Sequence, residues 1–187
     1  MVINLIQDLA TPHNNVLIAE FRNCSSAQIK LWYAEDQDQK RYEWSENISH
    51  KHLTAEIYGT RLNWNFIKYC LSHKDEKYVL VGWMNSNTRL LHLLFFLLRR
   101  PFNHWTDSPA PKTTGMSIKK KVLRWAAYEL LKYSRSKVFC VGETAITYFL
   151  TREFPEKMLV NLPIFVEVDE DILVYSSKHD EIFARYD

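Results

Sequence analysis

Short apolar runs and amphipathic stretches alternate along this chain almost from end to end. Val2 to Ile6 is apolar and stops at Gln7-Asp8, the pattern of a buried strand entering a loop. The loop from Asp8 to Asn15 carries cap residues and a proline, and Val16 to Phe21 is then expected to be helical. Ile29 to Tyr33 and Leu53 to Tyr58 predict two more strands, separated by a polar stretch from Ala34 to Lys51. Leu62 to Ser72 has helical spacing through Leu62, Phe66, Ile67, Cys70 and Leu71. Tyr78 to Trp83 is the clearest strand, and its unbroken apolar run suits a central parallel strand covered on both faces.

The second half repeats the pattern. Asn85 to Thr88 caps a helix reaching Leu98, closed by Arg99, Arg100 and Pro101. Phe102 to Thr106 is a weaker strand, Ser117 to Ser136 a long helix, and Val138 to Val141 another strand. Glu143 to Phe154 follows as a helix, and Met158 to Leu162 as a last short strand. Strand followed by helix, repeated with short connections, predicts an α/β fold: a doubly wound, mostly parallel, Rossmann-like sheet with helices on both faces. Residues 1–165 are expected to form that one domain, and 166–187 a linker or tail.

Composition narrows the chemistry. The 187 residues are 47% apolar and 25% charged, which fits a core-bearing domain. The four glycines, Gly59, Gly82, Gly115 and Gly142, are scattered, and no glycine-rich phosphate loop of the dinucleotide or P-loop type occurs. Three separated cysteines make neither a disulfide framework nor a zinc knuckle, and no metal or cofactor is expected. The N-terminal segment lacks a basic stretch and does not read as a signal peptide. Leu90 to Leu98, the most apolar run, is nine residues where a span needs about 20. A cytoplasmic protein is expected.

Ligands in open parallel sheets bind outside the carboxyl ends of the strands. The polar residues there are Thr11, His13, Asn14, Asn15, Asn85, Ser86, Asn87, Asp107 and Thr144, which are expected to converge on one crevice. Helix capping alone also explains Asn85, Ser86 and Asn87. His104 and Asp107, three apart at a strand end, have the spacing of a general base and its orienting acid. No HExxH, CxxC or G-x-S-x-G motif occurs to name a reaction.

Net charge is +2, but residues 99 to 137 carry ten Lys/Arg against Asp107 and Glu129, a local +8 that leaves −6 for the rest. Within the helix after Ser117, Val122, Trp125, Ala126, Glu129, Leu130 and Tyr133 share one side, flanked by Lys120, Lys121, Arg124, Lys132 and Arg135. Two readings stand. Lys119, Lys120, Lys121, Arg124 and Trp125 contact an anionic membrane surface, at the inner face of the plasma membrane. Alternatively the apolar residues face the sheet and the lysines face water. Nucleic-acid binding is disfavoured because the rest of the chain is acidic.

Four stretches taken together resemble the N-terminal domain of retaining GT-B glycosyltransferases of family 4. They are Ile6 to Asn15 (IQDLATPHNN), Tyr78 to Thr88 (YVLVGWMNSNT), Pro101 to Ala110 (PFNHWTDSPA) and Lys137 to Asp171. The first lacks the glycine-rich turn many members have. The resemblance implies an acceptor-binding half, with the nucleotide-sugar held by a C-terminal GT-B donor domain on the same or a separate chain. It also implies that Asp107 best matches the catalytic-edge position, with His104 second, and that the acceptor is a glycan or lipid-linked glycan. Alone, the chain is expected to be inactive. The competing expectation is a non-catalytic Rossmann-like module that docks a partner or a membrane through its basic face.

Overall fold

The computed structural model describes residues 1–9, 12–35, 55–83, 85–106 and 118–162. Seven strands form one sheet: β1 (Val2–Leu9), β2 (Gln28–Glu35), β3 (Ala55–Ile57), β4 (Lys77–Val81), β5 (Asn103–Thr106), β6 (Lys137–Cys140) and β7 (Leu159–Asn161). Their order across the sheet is β3-β2-β1-β4-β5-β6-β7, and all neighbours run parallel. The helices between them are α1 (Pro12–Cys24), α2 (Trp64–Ser72), α3 (Ser86–Leu97), α4 (Ile118–Lys132) and α5 (Gly142–Leu150). This is the doubly wound, Rossmann-like class that the alternating pattern predicts. The expected tail, 166–187, lies outside the described residues.

The chain builds outward from β1 in one direction and from β4 in the other. The step from β1 to β2 runs one way across the sheet, and the helical steps from β3 to β7 run the other. Right-handed crossovers therefore put α1 on one face and α2 to α5 on the opposite one. Leu17 and Ile18 of α1 accordingly pack with Leu5, Leu31, Tyr33, Val79 and Trp105 on one face. Phe66, Ile67, Leu91, Phe95, Tyr128, Leu131, Ala145 and Phe149, from α2 to α5, pack with Ile6, Leu80 and Val138 on the other. Neighbours in sequence, such as Leu5 and Ile6 or Val79 and Leu80, belong to different faces because successive strand side chains point to opposite sides.

Two local expectations shift. Helix α1 begins at Pro12 rather than near Val16, so His13, Asn14 and Asn15 belong to a first helical turn and not to a loop. Proline suits that start, since its fixed φ matches the helix and its missing N–H is one no helix turn would use. Helices α3 and α5 close without glycine. Arg99 (φ 52°) and Glu153 (φ 60°) take the left-handed position. The amides of Arg100 and Phe154 then reach back to the carbonyls of Phe95 and Phe149, at 2.8 and 3.2 Å.

Candidate functional site

The two halves of the sheet part between β1 and β4, where a doubly wound sheet opens its crevice. Register pairs Leu5 with Val79 and Ile6 with Leu80, so both strands deliver their next residues to the same edge. From β1 comes Asp8; from β4, through Gly82 and Trp83, comes Asn85, the N-cap of α3. Asn85 divides its amide between two tasks. Its Oδ1 accepts from the Thr88 amide at 2.8 Å, which caps the helix. Its Nδ2 donates to Asp8 Oδ1 and, at 2.6 Å, to the Tyr58 hydroxyl. Tyr58 Oη donates in turn to the Gln7 carbonyl at 3.2 Å. Tyr58 follows β3 directly. One asparagine thus ties together three strand ends that are far apart in the chain.

The electrostatics follow from burial. The Asp8 carboxyl is held above its ordinary range, first by desolvation and then by Glu35, against the lowering effects of the Asn85 hydrogen bond and the Arg89 charge. Tyr58 is pushed far up by burial and by the Asp8 charge, so it stays a neutral phenol. A carboxyl at a crevice whose affinity for a proton is raised by its surroundings is suited to hydrogen-bond a hydroxyl and to accept its proton.

Only some of the nominated residues meet here. Asn85 does, and Ser86 lies exposed beside it. Asn87 is fully buried and works inward: its Nδ2 donates to the carbonyls of Gly59 and Arg61, and its Oδ1 accepts from the Asn63 amide. It is therefore a positioning residue, not a surface that touches ligand. Thr144 is exposed on α5, which follows β6, two strands beyond β4. Thr11 and Asp107 lie outside the described residues, as do the side chains of His13, Asn14 and Asn15.

His104 does not stand at the surface of a strand end. It is 0% exposed, with its Nδ1 3.0 Å from His92 Nε2, and Trp83 lies over both rings at centroid distances of 4.6 and 4.1 Å. Its strand alternation points it into the layer under α3, where a substrate does not reach. Asp8 and Tyr58 are not among the polar residues that the strand-end pattern nominates. Each stands at the end of an apolar run, a signal available in the sequence, but the partnership of Asp8 with Asn85 depends on β1 and β4 being neighbours.

Helix α4 also departs from expectation. The stripe turned to the body is Arg124, Ala127, Tyr128 and Leu131, spaced i, i+3, i+4, i+7. Tyr128 and Leu131 are buried, and Arg124 is tied down at 3.1 Å to each of the Tyr128 and Tyr148 hydroxyls. Ile118, Val122, Leu123 and Trp125 are left outward, 80%, 55%, 56% and 60% exposed, with Lys121 exposed among them. So neither expected arrangement holds in full. Most of the apolar side faces away from the sheet, and Arg124 is not among the outward cations. The side chains of Lys119 and Lys120 lie outside the described set.

No helix among the described residues is long and apolar enough to cross a membrane. No protein-family model matches the chain. No curated protein matches it either.

Proposed function

We propose that the chain is the acceptor-side half of a glycosyltransferase that moves a sugar from a nucleotide-sugar to a glycan or lipid-linked acceptor. The observation that carries the reading is the crevice between β1 and β4, where a proton-affine carboxylate, Asp8, is held by Asn85 beside a neutral Tyr58. Two of the four stretches resembling the family 4 GT-B glycosyltransferases, Ile6 to Asn15 and Tyr78 to Thr88, contribute these strand ends. The absence of a glycine-rich phosphate loop from the sequence fits a division of labour in which a second domain holds the donor.

In that reaction the acceptor oxygen bonds to the anomeric carbon while the bond from that carbon to the donor phosphate breaks. The acceptor proton passes to Asp8, and the negative charge leaves on the phosphate. Alignment of hydroxyl and anomeric carbon supplies much of the rate. The test is sugar transfer by the natural polypeptide carrying this chain, from a set of radiolabelled nucleotide-sugars to lipid extracts and glycan primers. Asp8→Asn is expected to lower kcat about a hundredfold with the donor KM unchanged. Absence of transfer from every donor, or an unimpaired Asp8→Asn enzyme, rejects the reading.

The outward face of α4 favours a second element: a binding surface for an anionic bilayer. Four large apolar residues stand out from a helix whose first turns contain Lys119, Lys120 and Lys121, the chemistry of an interfacial helix. An α4 that follows β5 starts at the carboxyl edge of the sheet, so this surface begins on the crevice side and would bring a lipid-linked acceptor to it.

A further inference from the structure

The loop between β3 and α2 is held from inside and decorated on the outside. Gly59 adopts φ 84°, open to glycine and strained for other residues. Asn87 donates to the Gly59 and Arg61 carbonyls at 3.3 and 2.9 Å and accepts from the Asn63 amide at 2.8 Å. Asn63 donates to the Tyr58 carbonyl at 2.9 Å and caps α2 by accepting from the Phe66 amide at 3.1 Å. All five bonds fix backbone. They leave the outward side chains to other work, and those side chains border a hollow of about 500 Å³. Trp64 is 58% exposed there and Leu62 43%, with Thr60, Arg61 and Asn65 around them.

We infer that this loop is a saccharide subsite, in which a pyranose ring stacks on the Trp64 indole and its rim hydroxyls meet Arg61 and Asn65. The inference rests on the transferase reading only in making that saccharide part of the acceptor. A pyranose offers a patch of C–H groups on one face and hydroxyls around its edge. A flat apolar ring with hydrogen-bonding side chains beside it complements both. The guanidinium of Arg61 further suits a carboxylate or phosphate on the sugar. The subsite is joined to the crevice through one residue: the Tyr58 carbonyl is bound by Asn63, and its hydroxyl by Asn85. A rigid loop loses little freedom on binding. An acceptor that uses both places is an oligosaccharide, with its reacting end at Asp8 and a more distant ring on Trp64.

The experiment is an NMR titration of the ¹⁵N-labelled chain with gluco-, galacto- and manno-tetrasaccharides and a glucuronate-bearing tetrasaccharide, followed at the Trp64 indole N–H. At least one of them is expected to shift that resonance. Trp64→Ala is expected to weaken its binding by about tenfold or more, and Trp64→Phe by less. Because Trp64 is exposed, both variants should melt as the parent does, which separates lost binding from lost folding. An indole resonance that no tetrasaccharide moves overturns the subsite. So does undiminished binding by Trp64→Ala. Saccharide binding at Trp64 without any transfer by the natural polypeptide would reject the transferase and keep the subsite. Transfer that Trp64→Ala leaves untouched would do the reverse.

Discussion

His92 and His104 illustrate how much a single residue's meaning depends on what lies behind it. The Thr88 carbonyl, 2.7 Å from His92 Nδ1, requires the proton on that nitrogen, so His92 Nε2 accepts from His104 Nδ1. His104 Nε2 is then a buried acceptor with no partner among the described residues. Burial pushes His92 down to about 4 and lowers His104 well below its ordinary value, the latter helped by its neighbour. Both rings are therefore neutral in the fold. In the unfolded chain they take up protons near 6.5. The stability they contribute is fully present above that value and is lost as pH falls towards about 4. His92 alone accounts for a loss on the order of 3 kcal/mol. Asp8, whose folded value is raised, acts in the opposite sense and penalises folding as pH rises. Urea unfolding at pH 7 and pH 5 is expected to show the loss, and His92→Gln should reduce it. An unchanged pH dependence in that variant would contradict the buried neutral pair. In the sequence His104 reads as a strand-end base, because spacing cannot tell a residue at the rim from one pointing under a helix.

At the scale of elements, the sequence was most legible where periodicity is strong. The strand expected at Tyr78 to Trp83 forms as Lys77–Val81, the helices expected at Leu62 to Ser72 and after the Asn85 cap form as Trp64–Ser72 and Ser86–Leu97, and even the weaker run from Phe102 to Thr106 forms β5. Helix α4 was legible as a helix and not as a face. Its apolar residues occupy more than one side, so the period alone leaves open whether Val122 and Trp125 or Tyr128 and Leu131 turn inward. Packing beneath α4 selected Tyr128 and Leu131, and Tyr148 of α5 captured Arg124. The exposed remainder has a measurable consequence. The protein is expected to co-sediment with phosphatidylglycerol-containing vesicles and not with pure phosphatidylcholine, and less so at high salt. Trp125→Ser and Lys121→Glu should each reduce that binding without changing the melting temperature. Vesicle binding unaffected by either change would reject the surface, and a concentration-dependent dimer abolished by Trp125→Ser would reassign it to a second copy of the chain.

The whole molecule decides what the crevice contains. Asp8, Tyr58 and Asn85 lie at the ends of three strands, and one amide joins them. A double-mutant cycle combining Tyr58→Phe with Asn85→Ala is expected to show a coupling of about 1 kcal/mol in urea denaturation. Strict additivity would mean that the bond contributes nothing to the assembled edge.

What the sequence determined by itself was the class of fold. Alternating strands and helices of these lengths can bury their apolar faces only in a parallel sheet with helices on both sides. It also pointed to the edge that carries the candidate site, since polar residues directly after buried strands collect along one edge of a parallel sheet. Tertiary structure alone decided which of them meet. The order β3-β2-β1-β4 sets β1 beside β4, although 67 residues separate Leu9 from Lys77. That placement makes Asp8 and Asn85 partners, turns Asn87 inward to hold the Gly59–Asn63 loop, and sinks His104 beneath α3. Periodicity is a local property of the chain. Which strand lies beside which is settled by how the separate faces close on one another.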